Sequence, residues 1–152
     1  MPANYVATLS GEQLLVTVGD GNATVETFTM PALINSSKSF TVTQNVESDE
    51  IPDLNNLSNA SVMVRRTRSV DFKVDGSGVV HQPDTYNWLN WAATGGSRNC
   101  KITQVGNAAA GGWTITAPMV CTNFQLTGAN KKSTEASITL ELSGVFTLTK
   151  NP

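Results

Sequence analysis

The sequence predicts a mainly β protein, an antiparallel β-sandwich or barrel with one α-helix on its flank. Apolar and polar residues alternate in several short stretches that are separated by glycine- and asparagine-rich turns. Threonine, which favours strands, is the most frequent residue with 19 copies, and the 14 asparagines and 13 serines favour turns. The 152 residues fit one domain, 1–152, with residues 1–12 as an N-terminal arm.

One stretch departs from the strand pattern and predicts the helix, over about residues 84–94. Pro83 suits its first position and Gly95 its C-terminal end. Polar residues at helical spacing form one face, and apolar residues cover the rest: Tyr86, Trp88, Leu89, Trp91, Ala92 and Ala93. A helix so apolar is expected to pack against the sheet.

The strands are predicted from alternation and from the turns between them. Residues 134–142 alternate most clearly, with Ile138 and Leu140 pointing inward. A break is expected at Pro118 and a turn at 75–78. In the segment 119–127, alternation places Val120 and Phe124 on one face and Cys121 on the other. The predicted strands are 13–18, 24–30, 39–45, 62–64, 70–74, 99–105, 113–117, 119–127, 134–142 and 145–149.

A long segment without periodicity, about residues 46–61, is predicted to be a loop. It contains four acidic residues and no basic one: Glu47, Asp49, Glu50 and Asp53. A loop of this length inside a compact domain is usually functional or flexible. Two interpretations therefore stay open, a mobile surface loop and an interaction loop that becomes ordered on assembly.

Three of the four arginines follow directly, at Arg65, Arg66 and Arg68. They form either a solvated face or one half of an ionic contact with the acidic loop of a neighbouring copy. The second interpretation predicts that assembly is sensitive to salt.

Composition narrows the classes of function. The net charge of −2 and the pI near 5.3 argue against a protein that grips nucleic-acid phosphates. Only 14% of the residues are charged, below the usual 25% or so, which suits both a plain Thr-rich β-domain and a surface covered by copies of itself. The start of the chain resembles no signal peptide, and no apolar run has membrane-spanning length, so synthesis in the cytoplasm is expected.

No motif for catalysis, metal or cofactor emerges, and we predict that the protein is not an enzyme. The segment 71–82 begins like a calcium loop, but Lys73 and Gln82 occupy ligand positions. His81 is the single histidine, which leaves no recognisable triad. Whether Cys100 and Cys121 pair stays open. Trp88, Trp91 and Trp113 are candidates for a sugar-binding platform, but a core role is favoured for them.

The order of elements resembles that of phage tail tube proteins. The segments that carry the resemblance are 28–54, the helix at 84–94 and 112–144. The resemblance implies six-membered rings that stack into a hollow tube, through which DNA passes from capsid to host without sequence-specific binding. It also implies location in the virion tail, assembly in the host cytoplasm, and partners such as the sheath, baseplate and terminator proteins. Type VI secretion tubes share this fold.

The resemblance directs attention to two sets of residues. The acidic segment and the arginines are candidates for contacts between subunits or rings: Glu47, Asp49, Glu50, Asp53, Arg65, Arg66 and Arg68. The outward faces of three predicted strands, neutral or acidic, are candidates for the lumen: Thr41, Thr43, Asn123, Gln125, Thr139 and Glu141. Two alternatives remain, a monomeric β-sandwich module that binds a glycan or a protein, and a type VI secretion-like tube subunit.

Overall fold

A computed structural model describes residues 9, 11–21, 24–29, 37–80 and 82–152. These residues form eight strands and one α-helix, which confirms the mainly β fold with a flanking helix. Short 3₁₀ helices lie at Gly11–Gln13, Gln82–Asp84 and Ala108–Ala110, and the α-helix α1 is Thr85–Thr94. The strands are β1 Leu14–Gly19, β2 Phe28–Thr29, β3 Ser37–Ile51, β4 Val62–Val79, β5 Ser97–Gln104, β6 Trp113–Thr127, β7 Glu135–Leu142 and β8 Thr147–Lys150.

The described strands form one curled antiparallel sheet in the order β2-β1-β5-β6-β7-β4-β3. Strand β8 lies outside this path and pairs with the first residues of β6, Trp113–Thr116. The second half of β6 pairs instead with β7. Side chains from β1, β4, β5, β6 and β7 meet on one side of the sheet and form a single core, which includes Val16, Val74, Ile102, Met119 and Leu140.

Helix α1 packs against this core through two tryptophans, Trp88 and Trp91, which are both buried. The indole N–H of Trp91 donates to the carbonyl of Gly96 at 2.9 Å, and the Arg98 guanidinium lies 5.2 Å from the centre of its ring. The helix ends at Gly95, as predicted, with a positive φ of 76°. The remaining large apolar residues of α1 are not buried, contrary to expectation, because a single sheet covers only one face of the helix. Tyr86 is 73% exposed and Leu89 is 51% exposed.

The prediction of a loop over 46–61 was wrong in its first part. Strand β3 continues to Ile51, and only residues 52–61 form the loop. The predicted turn at 75–78 was also wrong, because β4 runs without a break through Gly76 to Val79. This segment pairs with β3 on one side and with β7 on the other, and Gly76 lies opposite both Lys38 and Ile138. Pairing on both edges outweighs the local turn preference of glycine and serine.

The break predicted at Pro118 does not occur, and β6 is one strand with Pro118 opposite Asn99. Its irregularity lies further on, where the register shifts between Cys121 and Asn123. The extra residue inverts the alternation, so Cys121 lies opposite Leu140 and next to the core. The predicted face of Cys121 was therefore wrong, and Val120 shares the opposite face with Asn123.

Most of the predicted N-terminal arm, Met30 and His81 lie outside the described residues. The strand predicted over 24–30 is described only as Phe28–Thr29, which pairs with Val18 and Gly19 of β1. Among the residues that are described, no helix has the length and apolar character needed to cross a membrane.

Candidate assembly surfaces

The side of the sheet opposite the core is a broad polar surface, here called the polar face. It is built by alternation on five neighbouring strands, because every second side chain points away from the core. Its members are mostly threonine, asparagine and carboxylate residues: Thr41, Thr43, Asn45, Asp71, Lys73, Asp75, Asn99, Lys101, Thr103, Thr114, Thr116, Val120, Asn123, Gln125, Thr127, Ser137, Thr139 and Glu141.

All six residues proposed from the sequence for a lumen lie on this polar face. Register brings them together across strands: Asn123 and Asp75 lie on either side of Thr139, and Glu141 lies opposite Lys73. The bulge in β6 is required for this arrangement, since it places Asn123 opposite Thr139. The structure thus brings the six side chains to one surface, and which of them face a lumen stays a prediction.

The carboxylates of β4 on the polar face were missing from the predicted set. Alternation in residues 70–75 places Asp71 and Asp75 on the face opposite to the buried Phe72. The sequence alone could therefore have assigned both carboxylates to the polar face. The hydroxyl of Thr139 donates to Asp75 Oδ1 at 2.8 Å. Lys73 Nζ lies 3.8 Å from Asp75 Oδ2, which links a lysine to this acidic group.

The second surface is the far end of the β3–β4 hairpin, residues 46–67, here called the hairpin extension. Nearly every side chain along it is exposed, and it begins where the ladder shifts register between Asn45 and Val46. Two leucines at its tip are among the most exposed apolar residues described, with Leu54 85% and Leu57 76% exposed. Exposed apolar side chains at the end of a projecting hairpin are typical of a contact surface.

Ionic contacts within the chain modify the prediction for the arginines. Arg68, at the base of the extension, forms an ion pair with Glu47 of the same chain, and both side chains are exposed. Arg66 lies opposite Glu47 across the hairpin, and Arg65 lies opposite Ser48. No ion pair within the described part of the chain is formed by Arg65 or Arg66, so these two are the stronger candidates for contacts with another copy.

Asp53 organises the loop at the tip of the extension. Its Oδ1 accepts from the backbone N–H groups of Asn55 and Asn56, at 2.9 and 3.4 Å, and its Oδ2 accepts from Asn59 Nδ2 at 2.8 Å. The bond from Asn59 and the bond from Asn55 lower the pKa of the Asp53 carboxyl below its ordinary value of 3.8. Both oxygens are used inside the loop, which indicates that Asp53 shapes the tip.

The cysteines and tryptophans offer no further site. Both thiols are free, with Cys100 buried and Cys121 partly buried. Burial raises the pKa of the Cys100 thiol to about 12, and it also raises the pKa of Cys121. Trp88 and Trp91 lie in the core as predicted. The described residues contain no group of three or more metal-binding side chains.

The fold is a curled β-sheet with one polar face and a long projecting hairpin. The family model of phage tail tube proteins matches residues 8–148. The chain therefore belongs to the phage tail tube protein family, and its role is that of a structural component of the tail tube of virions. The family consists of structural tube proteins.

Solved structures of tubes share the fold at low sequence identity. The tail of an empty gene transfer agent particle, computed with C6 symmetry, has a TM-score of 0.65 and 14% identity, covering 93% of this chain and 99% of that one. The SPP1 tail tube has a TM-score of 0.67 and 10% sequence identity, and the match covers 95% of this chain and 80% of that one. A third match is the sheath–tube complex of PVC, an extracellular contractile injection system. Its TM-score is 0.55 and its sequence identity 12%, and the match covers 94% of this chain and 92% of that one. None of the curated proteins compared with the chain matches it.

Proposed function

We propose that six copies of the chain form a ring, and that rings stack into a hollow tube that conducts phage DNA from the capsid to the host. The polar face is the observation that carries this proposal. The polar face is broad and dominated by neutral and acidic groups. It is the side of the sheet that faces away from the core. A lumen of this kind offers DNA few of the basic contacts that would hold its phosphates.

Contacts between neighbouring subunits are supported by the open edge of the sheet. Among the described strands, β3 pairs with β4 on one side only, so a strand of 15 residues presents an unpaired edge. An edge of this length is an aggregation hazard in a monomer, and it is removed when another copy pairs with it. Identical head-to-tail contacts around an axis close a ring, and the C6 symmetry of the gene transfer agent tail supports a ring of six.

Contacts between stacked rings are assigned to the hairpin extension. Its exposed leucines supply apolar area, while the acidic residues and the arginines supply charges that fix the register of one ring on the next. Of the residues predicted from the sequence, Asp49, Glu50, Arg65 and Arg66 carry this proposal. Glu47 and Arg68 pair with each other, and Asp53 bonds within its own loop. The sheath, baseplate and terminator proteins are the proposed partners at the outside and the ends of the tube, which assembles in the host cytoplasm.

Electron microscopy in negative stain tests the assembly. Purified protein, concentrated at low salt, is expected to form rings or hollow tubes with a stain-filled channel. The alternative, a monomeric module that binds a glycan or a protein, predicts single particles at every concentration. Uniform monomers that bind a glycan would overturn the proposal.

Labelling with bulky thiol reagents tests the lumen assignment in assembled tubes. Thr139→Cys and Gln125→Cys, in a Cys121→Ser background, are expected to react much more slowly than Tyr86→Cys. Tyr86 is the matched exterior control because it is exposed on the helix, on the core side of the sheet. Equal labelling of all three positions in tubes would remove the polar face from the lumen.

A further inference from the structure

The polar face, as defined above, carries two lysines, and each has a partner within the chain. Lys101 Nζ lies 4.1 Å from the centre of the Phe28 ring, a cation–π contact. Lys73 lies among carboxylates. Asp75 follows it by two residues on the same face of β4, and Asp71 precedes it by two.

The third carboxylate around Lys73 comes from the neighbouring strand. Glu141 of β7 is the direct register partner of Lys73. Side chains in this position have Cβ atoms about 5 Å apart, within reach of an ion pair. Thr139 fixes the nearest carboxylate, because its hydroxyl donates to Asp75 Oδ1 while Asp75 Oδ2 lies 3.8 Å from Lys73 Nζ. Among the described residues, only Asp75 pairs with Lys73 within 4 Å. Asp71 and Glu141 share the same stretch of the face, which therefore carries three carboxylates and one ammonium.

We propose that Asp71, Asp75 and Glu141 screen Lys73 from passing DNA phosphates. This inference rests on the proposed function and adds a role for residues of β4 that the lumen set did not contain. A lysine ammonium is a mobile point charge that binds phosphate readily. Repetition around a ring and along a tube would multiply one such contact many times, and each phosphate held adds to a salt-dependent affinity. The carboxylates give the ammonium nearer partners of the same chain.

The pairs are not expected to contribute much to stability. The side chains of Lys73 and Asp75 are each about half exposed, at 49% and 46%, and exposed ion pairs contribute little to the free energy of unfolding. If the three carboxylates had only a structural role, their removal would change stability and leave DNA retention unchanged. Screening predicts the opposite pattern, so retention is the informative measurement.

The experiment compares tubes of three proteins for retention of a short fluorescent DNA duplex after sedimentation. The variant Asp71→Asn/Asp75→Asn/Glu141→Gln leaves Lys73 without carboxylates. It is expected to retain about tenfold more duplex than wild-type tubes at about 50 mM salt and to lose the excess at about 200 mM. The matched control adds Lys73→Gln to the same three changes. Its tubes are expected to release the duplex as wild-type tubes do.

Two results would overturn the inference. One is release of the duplex by the triple variant at the wild-type level. The other is equal retention with and without Lys73→Gln, which would attribute the effect to lost negative charge rather than to the lysine. If the triple variant forms no tubes, Asp75→Asn is compared with Asp75→Asn/Lys73→Gln, because an amide at position 75 still accepts the Thr139 hydrogen bond. The expected excess is then about two- to threefold, and equal retention by the two would again overturn it.

Failure of the proposed function is recognised separately. In that case wild-type protein forms no tubes, or Thr139→Cys in wild-type tubes reacts as fast as Tyr86→Cys. A different outcome would contradict the screening role alone. In that outcome, Thr139→Cys in tubes is protected from the thiol reagent, but tubes of the triple variant retain no more duplex than wild-type tubes.

Discussion

Arg68 and Glu47 form an ion pair across the β3–β4 hairpin, next to the point where the ladder shifts register. The shift inserts one extra residue into β4, so the side chains beyond it follow a new alternation. The hairpin extension begins at this point. Arg68 is thereby committed to its own chain, whereas Arg65 and Arg66 lie further out on the extension.

The first prediction concerns these two outer arginines. Arg65→Glu/Arg66→Glu is expected to raise the protein concentration needed for tube formation about tenfold at low salt. This change corresponds to about 1.4 kcal/mol, the size of one or two ionic contacts between copies. Stability of the monomer is expected to fall by less than about 1 kcal/mol, because Arg66→Glu places a second carboxylate opposite Glu47 on an exposed part of the hairpin. Light scattering against protein concentration measures the first quantity, and urea unfolding the second.

Arg68→Gln is the matched control for that experiment. Its partner lies in the same chain and both groups are exposed, so it should change monomer stability by less than about 1 kcal/mol and leave assembly nearly unchanged. Intact assembly of the Arg65→Glu/Arg66→Glu variant would refute the ionic contact.

The second prediction is a pH dependence of the loop tip. The pKa of Asp53 is lowered, so the charged form is favoured in the folded loop, and its contribution is fully present above the unfolded pKa. The contribution is lost as pH falls through the folded pKa, below 3.8. The protection of the Asn55 and Asn56 amide hydrogens, measured against an unstructured peptide at the same pH, is therefore expected to fall below that value while the core strands stay protected.

Asn59→Ala is the control for this titration, since it removes the largest cause of the lowered pKa. The loss of protection is expected to begin at higher pH in this variant. An identical pH profile for the two proteins would show that the Asn59 bond does not hold the carboxylate.

The strands of the core were predictable from local alternation, but the two bulges were not. Ile138 and Leu140 point inward as predicted because β7 itself contains no extra residue, whereas β6 opposite it does. Cys121 and Val120 were assigned to the wrong faces, because the extra residue after Cys121 has no signature in alternation alone. Gly76 and Ser77 read locally as a turn, and only pairing with two distant strands keeps them extended.

The sequence predicted which residues belong to the candidate surfaces, but it did not predict which of them contact each other. The polar side chains of alternating strands could be named in advance, and the structure places all six on one face. The pairing of Arg68 with Glu47 depends on the register of a hairpin whose upper part reads as a loop in the sequence. The same register determines that Arg65 lies opposite Ser48, which is uncharged.

The third prediction concerns the helix. Trp91→Ala is expected to destabilise the monomer by about 3–5 kcal/mol, since it removes a buried indole and its hydrogen bond to Gly96. Tyr86→Ala, in the same helix and 73% exposed, should cost less than about 0.5 kcal/mol. Urea unfolding followed by circular dichroism measures both. Equal losses of stability in the two variants would contradict the assignment of Trp91 to the buried face of α1 and of Tyr86 to its exposed face.

The fourth prediction concerns the reactivity of Cys100. Burial raises the pKa of this thiol to about 12, so at pH 8 it is protonated and shielded in the folded protein. The raised pKa contributes stability below the ordinary thiol pKa of 9.0, and that contribution is lost as pH rises from there toward 12. Iodoacetamide at pH 8 is expected to modify Cys100 only after urea is added. Mass mapping of the modified peptides checks this, with Cys121, which is only partly buried, as the internal comparison.

The fifth prediction concerns Gly112, where the chain enters β6. A Cβ at this position would lie 2.0 Å from the carbonyl oxygen of Gly106 and 2.8 Å from Asn151 Nδ2. The same Asn151 amide donates to the Gly106 carbonyl at 2.7 Å and to Gln104 at 3.0 Å, which ties the end of the chain to the loop before β6. Gly112→Ala must displace this backbone and is expected to cost about 1–3 kcal/mol or more.

Gly11→Ala is the matched control, because among the described residues no atom beyond its chain neighbours lies within 4 Å of the added carbon there. It should leave the free energy of unfolding within about 0.5 kcal/mol of wild type. The Gly112 variant should in addition lose amide protection at Asn151, whose N–H donates to the Gly112 carbonyl at 3.1 Å. Wild-type stability and protection in Gly112→Ala would contradict the close packing of the loop, β6 and the C-terminal residues.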